Sequence, residues 1–168
     1  MGLFIKREIQ KLLTGYPTVS DKYDVQGGIL GGAVAAKPGD LLIFGANQGE
    51  FAKPATAMTG VDQIAGILLG VNVKLVLQYP GASAAAETMP GQAVDLCTKG
   101  FIPVELEEAV TADIKDGAAV KCLLASGKLT TSSNASGTEV PNMKFTGVFE
   151  NHGTEAAPVI VAEIKIGC

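Results

Sequence analysis

The stretch VIVAEIKI at residues 159–166 is the part of the sequence that most clearly predicts a fold. From Glu163 to Ile166, charged residues alternate with isoleucines. Because successive side chains of a β-strand point to opposite faces, this period of two predicts a strand with one face in a core and the other in solvent. The segment FTGVF at residues 145–149 is expected to pair with it as a hairpin across the polar loop at 150–157.

The rest of the chain is divided into pieces of strand length by 21 glycines and 8 prolines. Many short apolar segments between Gly and Pro turns are typical of an all-β sandwich or barrel. The sequence therefore predicts a mainly β fold, a compact β-barrel or sandwich. The other candidate strands are residues 40–44, 66–77, 93–98, 101–105, 119–125 and 144–149.

Three similar turns precede apolar strands. They are KPGD at residues 37–40, MPGQ at 89–92 and KDGA at 115–118. In the first two, proline fixes φ at the first corner and glycine accepts a positive φ at the second, as a type II turn requires. The third is expected to turn in the same way with Asp-Gly.

The N-terminal region has a different pattern. Apolar residues recur at positions 5, 9, 12 and 13, with polar ones (Lys6, Arg7, Gln10 and Lys11) on the opposite side, which predicts a short amphipathic helix over residues 3–13. Residues 16–37 then form an extended, Gly-rich segment with little reason to pack. We therefore expect an arm at residues 1–32, made of the helix and the extended segment, and a β-body at residues 33–168. A helix this short must dock, either on its own body or on a neighbouring subunit or partner.

Charge and hydropathy argue against two classes of partner. The formal net charge is −4 and the 13 basic residues are scattered, whereas a nucleic-acid surface needs clustered Lys and Arg. No apolar run approaches the roughly 20 residues of a membrane-spanning helix. We therefore expect no nucleic-acid and no membrane partner.

Residues that could carry chemistry do not form a recognisable site. His152 is the only histidine and lies in a turn-like sequence, and no GxSxG surrounds a serine. The three cysteines, Cys97, Cys122 and Cys168, lack a CxxC spacing, so we expect reduced thiols, the first two packed in strands. The glutamates at 105, 107 and 108 are interpreted as a solvated strand end. The sequence predicts a protein that is not an enzyme and has no cofactor or metal.

One motif suggests an alternative. Met143 and Lys144 form the Met-Lys pair that biotinyl carrier domains present on a hairpin tip. Here Asn142 stands where those domains have a small or acidic residue, and Lys144 leads directly into a predicted strand. A biotinyl-type carrier is therefore the weaker hypothesis.

Residues 90–106, PGQAVDLCTKGFIPVEL, resemble the structural cement proteins that decorate the capsids of tailed phages. The similarity continues in GAAV at residues 117–120, in a GKLTT hairpin at 127–131 and in the closing strand VAEIKI at 161–166. The early PGD turn and the GIL stretch at 66–68 complete the pattern, so the resemblance covers roughly residues 25–168.

The resemblance implies a protein that binds the outside of a phage capsid and stabilises the lattice of the major capsid protein. It also implies self-association as a homotrimer or dimer, and a location on the virion exterior after synthesis in the host cytoplasm. Another virion β-module of a tail or baseplate, or a carbohydrate-binding module, is the alternative, although aromatics make up only 5% of the chain. The candidate partner-binding residues are the apolar ones of the predicted helix: Leu3, Phe4, Ile5, Ile9, Leu12 and Leu13.

Overall fold

The computed structural model describes residues 12–18, 23–70 and 87–167. Within these residues the chain forms nine strands and two short 3₁₀ turns, Val61–Gln63 and Thr111–Asp113, so the prediction of a mainly β fold is confirmed. The strands are β1 (Asp24–Leu30), β2 (Leu41–Phe44), β3 (Glu50–Ala52), β4 (Ile64–Leu68), β5 (Ala93–Glu105), β6 (Ala119–Leu123), β7 (Lys128–Thr130), β8 (Thr138–Asn151) and β9 (Ile160–Ile166).

Five strands close into a small barrel. The order is β1-β3-β2-β4-β5, and β5 pairs with β1 to complete the ring. The closing pairs run antiparallel from Asp24↔Lys99 to Ile29↔Ala93. Closure leaves these strands without the long free edge that an open sheet presents to other chains.

Strand β5 belongs to two sheets. Its first half completes the barrel, and its second half pairs with β9 from Gly100↔Ile166 to Glu105↔Val161. Gly100 has a φ of 128°, which side chains rarely adopt, so a glycine permits the change of direction. The sequence predicts two strands, 93–98 and 101–105, where the structure has one continuous strand.

The second sheet continues from β5 through β9, β8 and β6 to β7. Leu106, directly after β5, forms a parallel bridge to Leu129 of β7, and the Glu107 N–H donates to the Leu129 carbonyl at 2.9 Å. The two outer edges of this sheet therefore meet at one point.

Two hydrophobic cores result. The barrel core lies inside the five-stranded ring and consists of Leu30, Ala36, Leu42, Phe51, Leu68, Val94 and Leu96. The shared core lies between the second sheet and the residues that face outward from the barrel, and its largest side chain is Phe145. Neighbours such as Ile67 and Leu68 enter different cores, because successive side chains of a strand point to opposite faces.

The predicted turns and C-terminal hairpin are confirmed. Gly39, Gly91 and Gly117 all have positive φ values, between 76° and 87°. Strands β8 and β9 pair up to Asn151↔Ile160, next to the predicted loop. In β9 the isoleucines at 164 and 166 are buried, whereas Lys165 is exposed. The hairpin at 127–131 is also present, because β7 pairs with β6.

The N-terminal predictions have mixed outcomes. Most of the predicted helix lies outside the described residues, and its last two residues, Leu12 and Leu13, are not helical. The expectation that residues 16–37 have little reason to pack does not hold for 24–30, which form β1. A Cβ at Gly28 would lie 2.4 Å from the Phe51 ring, so a glycine allows this close approach. The division into an arm and a body at residue 32 stays a prediction.

Candidate partner-binding surface

The root segment, residues 12–18, lies along the edge of β5 opposite β9. The Gly15 N–H donates to the Pro103 carbonyl at 2.8 Å, and the Thr18 N–H donates to the Phe101 carbonyl at 3.3 Å. Proline has no N–H to give to a ladder, so a position with only its carbonyl engaged suits it. The root segment therefore covers a sheet edge that would otherwise be exposed.

Glycines allow the root segment to come close to the barrel. Gly15 has a φ of 79°, and a Cβ there would lie 2.4 Å from the Gly39 nitrogen. The Gly70 N–H also donates to the Gly15 carbonyl at 2.9 Å. The root segment is thus fixed both to the second half of β5 and to the barrel.

The segment is held at its start by a carboxylate. Leu12 is buried, and its N–H donates to Oε2 of Glu150 at 2.8 Å. His152 Nε2 lies 3.0 Å from the same oxygen. Glu150 belongs to β8, where it pairs with the buried Val161 of β9. The first described residue is therefore attached to the β8–β9 hairpin.

These contacts locate two of the six candidate partner-binding residues. Leu12 is buried within its own subunit, whereas Leu13 beside it is 60% exposed. Leu3, Phe4, Ile5 and Ile9 lie outside the described residues. Binding of a partner by any of the six stays a prediction.

Sequence reasoning missed several exposed apolar side chains on the β-body. At the β8–β9 hairpin, Val148, Phe149 and Val159 are between 37% and 48% exposed. Val148 lies where the register between β8 and β9 shifts. Exposed apolar side chains are candidates for contact with another protein where they join into a patch. The apolar pair at 148–149 near a polar loop is the only sequence signal that pointed here.

A second group of exposed apolar side chains lies at one end of the barrel. Ile29, Phe44 and Met89 are each more than half exposed. Ile29 also lines a cleft of about 420 Å³ together with Glu50 and the turn at Pro90. Sequence periodicity does not reveal this group, because its members come from three distant segments.

The side chains that could carry chemistry form hydrogen bonds within the protein. Glu107 accepts a hydrogen bond from Ser126 at 2.6 Å, and Glu108 accepts one from Asn134 at 2.9 Å. His152 is exposed in the loop after β8, as expected. Over residues 12–18, 23–70 and 87–167, no group of three or more His, Cys, Asp or Glu side chains is placed to hold a metal.

The two described cysteines are packed in strands, as the sequence predicts. Cys97 lies in β5 and Cys122 in β6, and both are fully buried. Burial raises the pKa of each thiol to about 11, so both are protonated at neutral pH and are poor nucleophiles. Cys168 lies outside the described residues.

Lys144 does not stand at a hairpin tip. It lies within β8, paired with Ala119 of β6 and Lys165 of β9, and its Nζ is 3.0 Å from Oε1 of Glu139. A carrier lysine must project from a turn to meet its ligase, so this position disfavours the biotinyl-type alternative. The described part of the chain has no helix with the length and apolarity needed to cross a membrane.

Comparison with protein families gives a match over residues 7–167, to the structural cement proteins (E217 gp24/Pam3 gp6). The chain belongs to the structural cement protein family. The match covers almost the whole sequence and begins well before the region of resemblance at 25–168. It includes the root segment, so this part of the cement protein is a feature of the matched region and not an appendage to it.

The fold of this cement protein is similar to that of a chain in a solved structure described as the capsid of Myoviridae phage XM1. The TM-score is 0.55, the sequence identity is 17%, and the match covers 96% of each chain. At this identity the likeness concerns the fold. A search of the curated proteins finds no match.

Proposed function

We propose that this cement protein binds the outer surface of a phage capsid, contacts the major capsid protein and stabilises the assembled lattice. Membership of the structural cement family over residues 7–167 is the observation that carries the proposal. Cement is a structural role, which requires a rigid body and contact surfaces but no catalytic constellation.

Stabilisation of a shell follows from mass action. A protein that binds the assembled lattice and not the free subunits lowers the free energy of the assembled state. Each copy needs only a modest interface, because many copies on one lattice add their contributions. The two-core body supports this role, since a body that keeps its shape loses little conformational entropy on binding.

The proposal includes self-association as a homotrimer or dimer on the virion exterior. The exposed apolar groups at the β8–β9 hairpin and at the barrel end support it, because a shell protein that contacts both the lattice and its own copies needs more than one contact surface. Residues 1–11 provide a third contact. Of the candidate residues, Leu3, Phe4, Ile5, Ile9 and Leu13 are proposed to contact the partner, while Leu12 anchors the arm to its own body.

Truncation tests the arm. The deletion should remove residues 1–11 and keep residues 12–18, because Leu12 and Gly15 are hydrogen-bonded to the body. We expect the truncated protein to fold with unchanged stability and to bind capsids at least about tenfold more weakly, since even a small apolar contact contributes more than 1.4 kcal/mol. Co-sedimentation with capsids built from the cognate major capsid protein measures the affinity.

A matched control separates the effect of the apolar side chains from the effect of the arm's length. A full-length variant with Leu3, Phe4, Ile5 and Ile9 changed to serine keeps the arm's length and charge, and should bind as weakly as the truncation. Normal binding by both variants would reject the arm contact and leave the body as the binding element. Absence of binding by the unaltered protein to the same capsids would overturn the proposed function itself.

A further inference from the structure

The start of the root segment is held by the burial of the Leu12 side chain and by one carboxylate. Oε2 of Glu150 accepts the Leu12 N–H at 2.8 Å and lies 3.0 Å from Nε2 of His152. The Glu150 side chain is 25% exposed and that of His152 is 30% exposed, so water screens the contact only in part. A hydrogen bond to an ionised acceptor is about twice as strong as one between neutral groups.

We propose that Glu150 is a positioning residue, which fixes the direction in which residues 1–11 leave the body and therefore where they reach on the shell. This inference rests on the proposed function. Glu150 itself contacts no partner in this mechanism; it acts through the backbone of Leu12.

The support beneath Glu150 is rigid. Asn151, the next residue, accepts N–H groups from Gly153 and Val159 with its Oδ1, at 2.9 and 3.1 Å. Backbone pairing of Asn151 with Ile160 closes the hairpin at the same point. The Glu150 carboxylate therefore lies on a hairpin whose loop is hydrogen-bonded at both ends.

The contacts further along the root segment do not depend on Glu150. The backbone of Gly15 is hydrogen-bonded to Pro103 and Gly70, and the backbone of Thr18 is hydrogen-bonded to Phe101. The loss of Glu150 should therefore free Leu12 and its neighbours while Gly15 stays in place. The point at which residues 1–11 are attached to the body would then shift from Leu12 to Gly15, three residues further along the chain.

An attachment point further along the chain, with a less fixed direction, weakens binding of the arm to the capsid. The effective concentration of a tethered segment is greatest when its reach matches the distance to its site, and it falls as the tether lengthens. A fixed exit direction also removes part of the ordering cost at the moment of binding. Glu150 is thus expected to raise capsid affinity without touching the capsid.

Amide hydrogen exchange of the full-length free protein tests the anchor. In Glu150→Ala, the Leu12 amide should exchange about tenfold faster, as expected for the loss of one charged hydrogen bond, while the Gly15 amide is unchanged. Glu150→Gln keeps a neutral acceptor oxygen and should restore part of the protection. Glu139→Ala, which removes another β8 carboxylate paired with Lys144, is the matched control and should leave both amides unchanged.

Capsid binding tests the positioning role. We expect Glu150→Ala to bind several-fold more weakly while the β-sheets stay folded, and Glu150→Gln to recover part of the affinity. An unchanged Leu12 amide in Glu150→Ala would overturn the anchor. A freed Leu12 with unaltered affinity would overturn the positioning role and leave the proposed function intact, because both proteins would still bind.

Discussion

The barrel core and the shared core differ in how their walls are made. The barrel core is enclosed by one ring of strands, and Phe51 is the one aromatic residue among its described members. The shared core takes residues from the second sheet and from the outward faces of β2, β4 and β5, including Leu41, Ile67 and Cys97. Parts of β2, β4 and β5 are therefore buried on both faces. The barrel is therefore not an independent unit, because part of its outer surface forms one side of the shared core.

The largest effect is expected from Phe145→Ala, which opens a cavity in the shared core. Phe145 is 1% exposed, and truncation of a buried Phe costs about 3–5 kcal/mol. Phe149→Ala, four residues along the same strand and 41% exposed, is the control and should cost much less. Urea denaturation measures both. Two separate unfolding transitions in either variant would contradict the view that the cores unfold as one unit.

A smaller effect is expected from Gly28→Ala in the barrel. The new Cβ would lie 2.4 Å from Phe51 and 2.5 Å from the Gly49 carbonyl oxygen, and overpacking of this kind costs about 1–3 kcal/mol. Gly27→Ala is a matched control on the same strand, because its Cβ meets nothing closer than Asp95 at 3.4 Å. Equal thermal stability of the two variants would show that β1 can move away from Phe51.

An ion pair links the barrel to the second sheet. Asp40 lies 2.7 Å from Lys53 Nζ and 3.8 Å from Lys128 Nζ on β7, and its side chain is 10% exposed. We expect Asp40→Asn to cost about 1–2 kcal/mol, between the values for exposed and fully buried pairs. Asp95→Asn removes an exposed carboxylate from the same barrel and should be neutral. The loss of stability should be smaller at high salt, because salt screens an ion pair. A loss that does not change with salt would be explained instead by the hydrogen bond that the Lys37 N–H donates to the Asp40 carboxylate.

The smallest effect concerns the two thiols of the shared core. Cys97 and Cys122 have pKa values of about 11 in the folded protein, against an ordinary value of 9.0. Above pH 9 the unfolded thiols ionise while the folded ones keep their protons, so stability is full below pH 9 and falls as the pH rises towards 11.

At pH 10 each thiol should account for about 1 kcal/mol of this loss. Cys122→Ala should therefore show a shallower fall than the unaltered protein when unfolding is measured between pH 8 and 10.5. Identical slopes would mean that Cys122 ionises as easily in the folded protein as in the unfolded one.

The sequence predicted those features whose cause is local. The alternation in β9 and the positive φ of Gly39, Gly91 and Gly117 depend on a few neighbouring residues. The hairpin of β8 and β9 joins residues within about twenty positions of one another, such as Phe145 and Ile164. The candidate site was predicted less well. The helix pattern drew attention to residues 3–13, but the anchoring of Leu12 requires Glu150, which is 138 positions away. No periodicity contains that information.

What the sequence determined by itself is the mainly β class, the turn positions and membership of the cement family, because turn chemistry and the order of apolar positions are properties of neighbouring residues. Only the tertiary structure decided that β1 and β5 close a barrel, that β5 serves two sheets, and that the root segment covers the edge at Pro103. The physical reason is that a strand's alternation assigns its side chains to two faces but does not say what lies opposite each face. Where both faces of β2, β4 and β5 are buried, the pairing of distant strands decides which core each side chain enters.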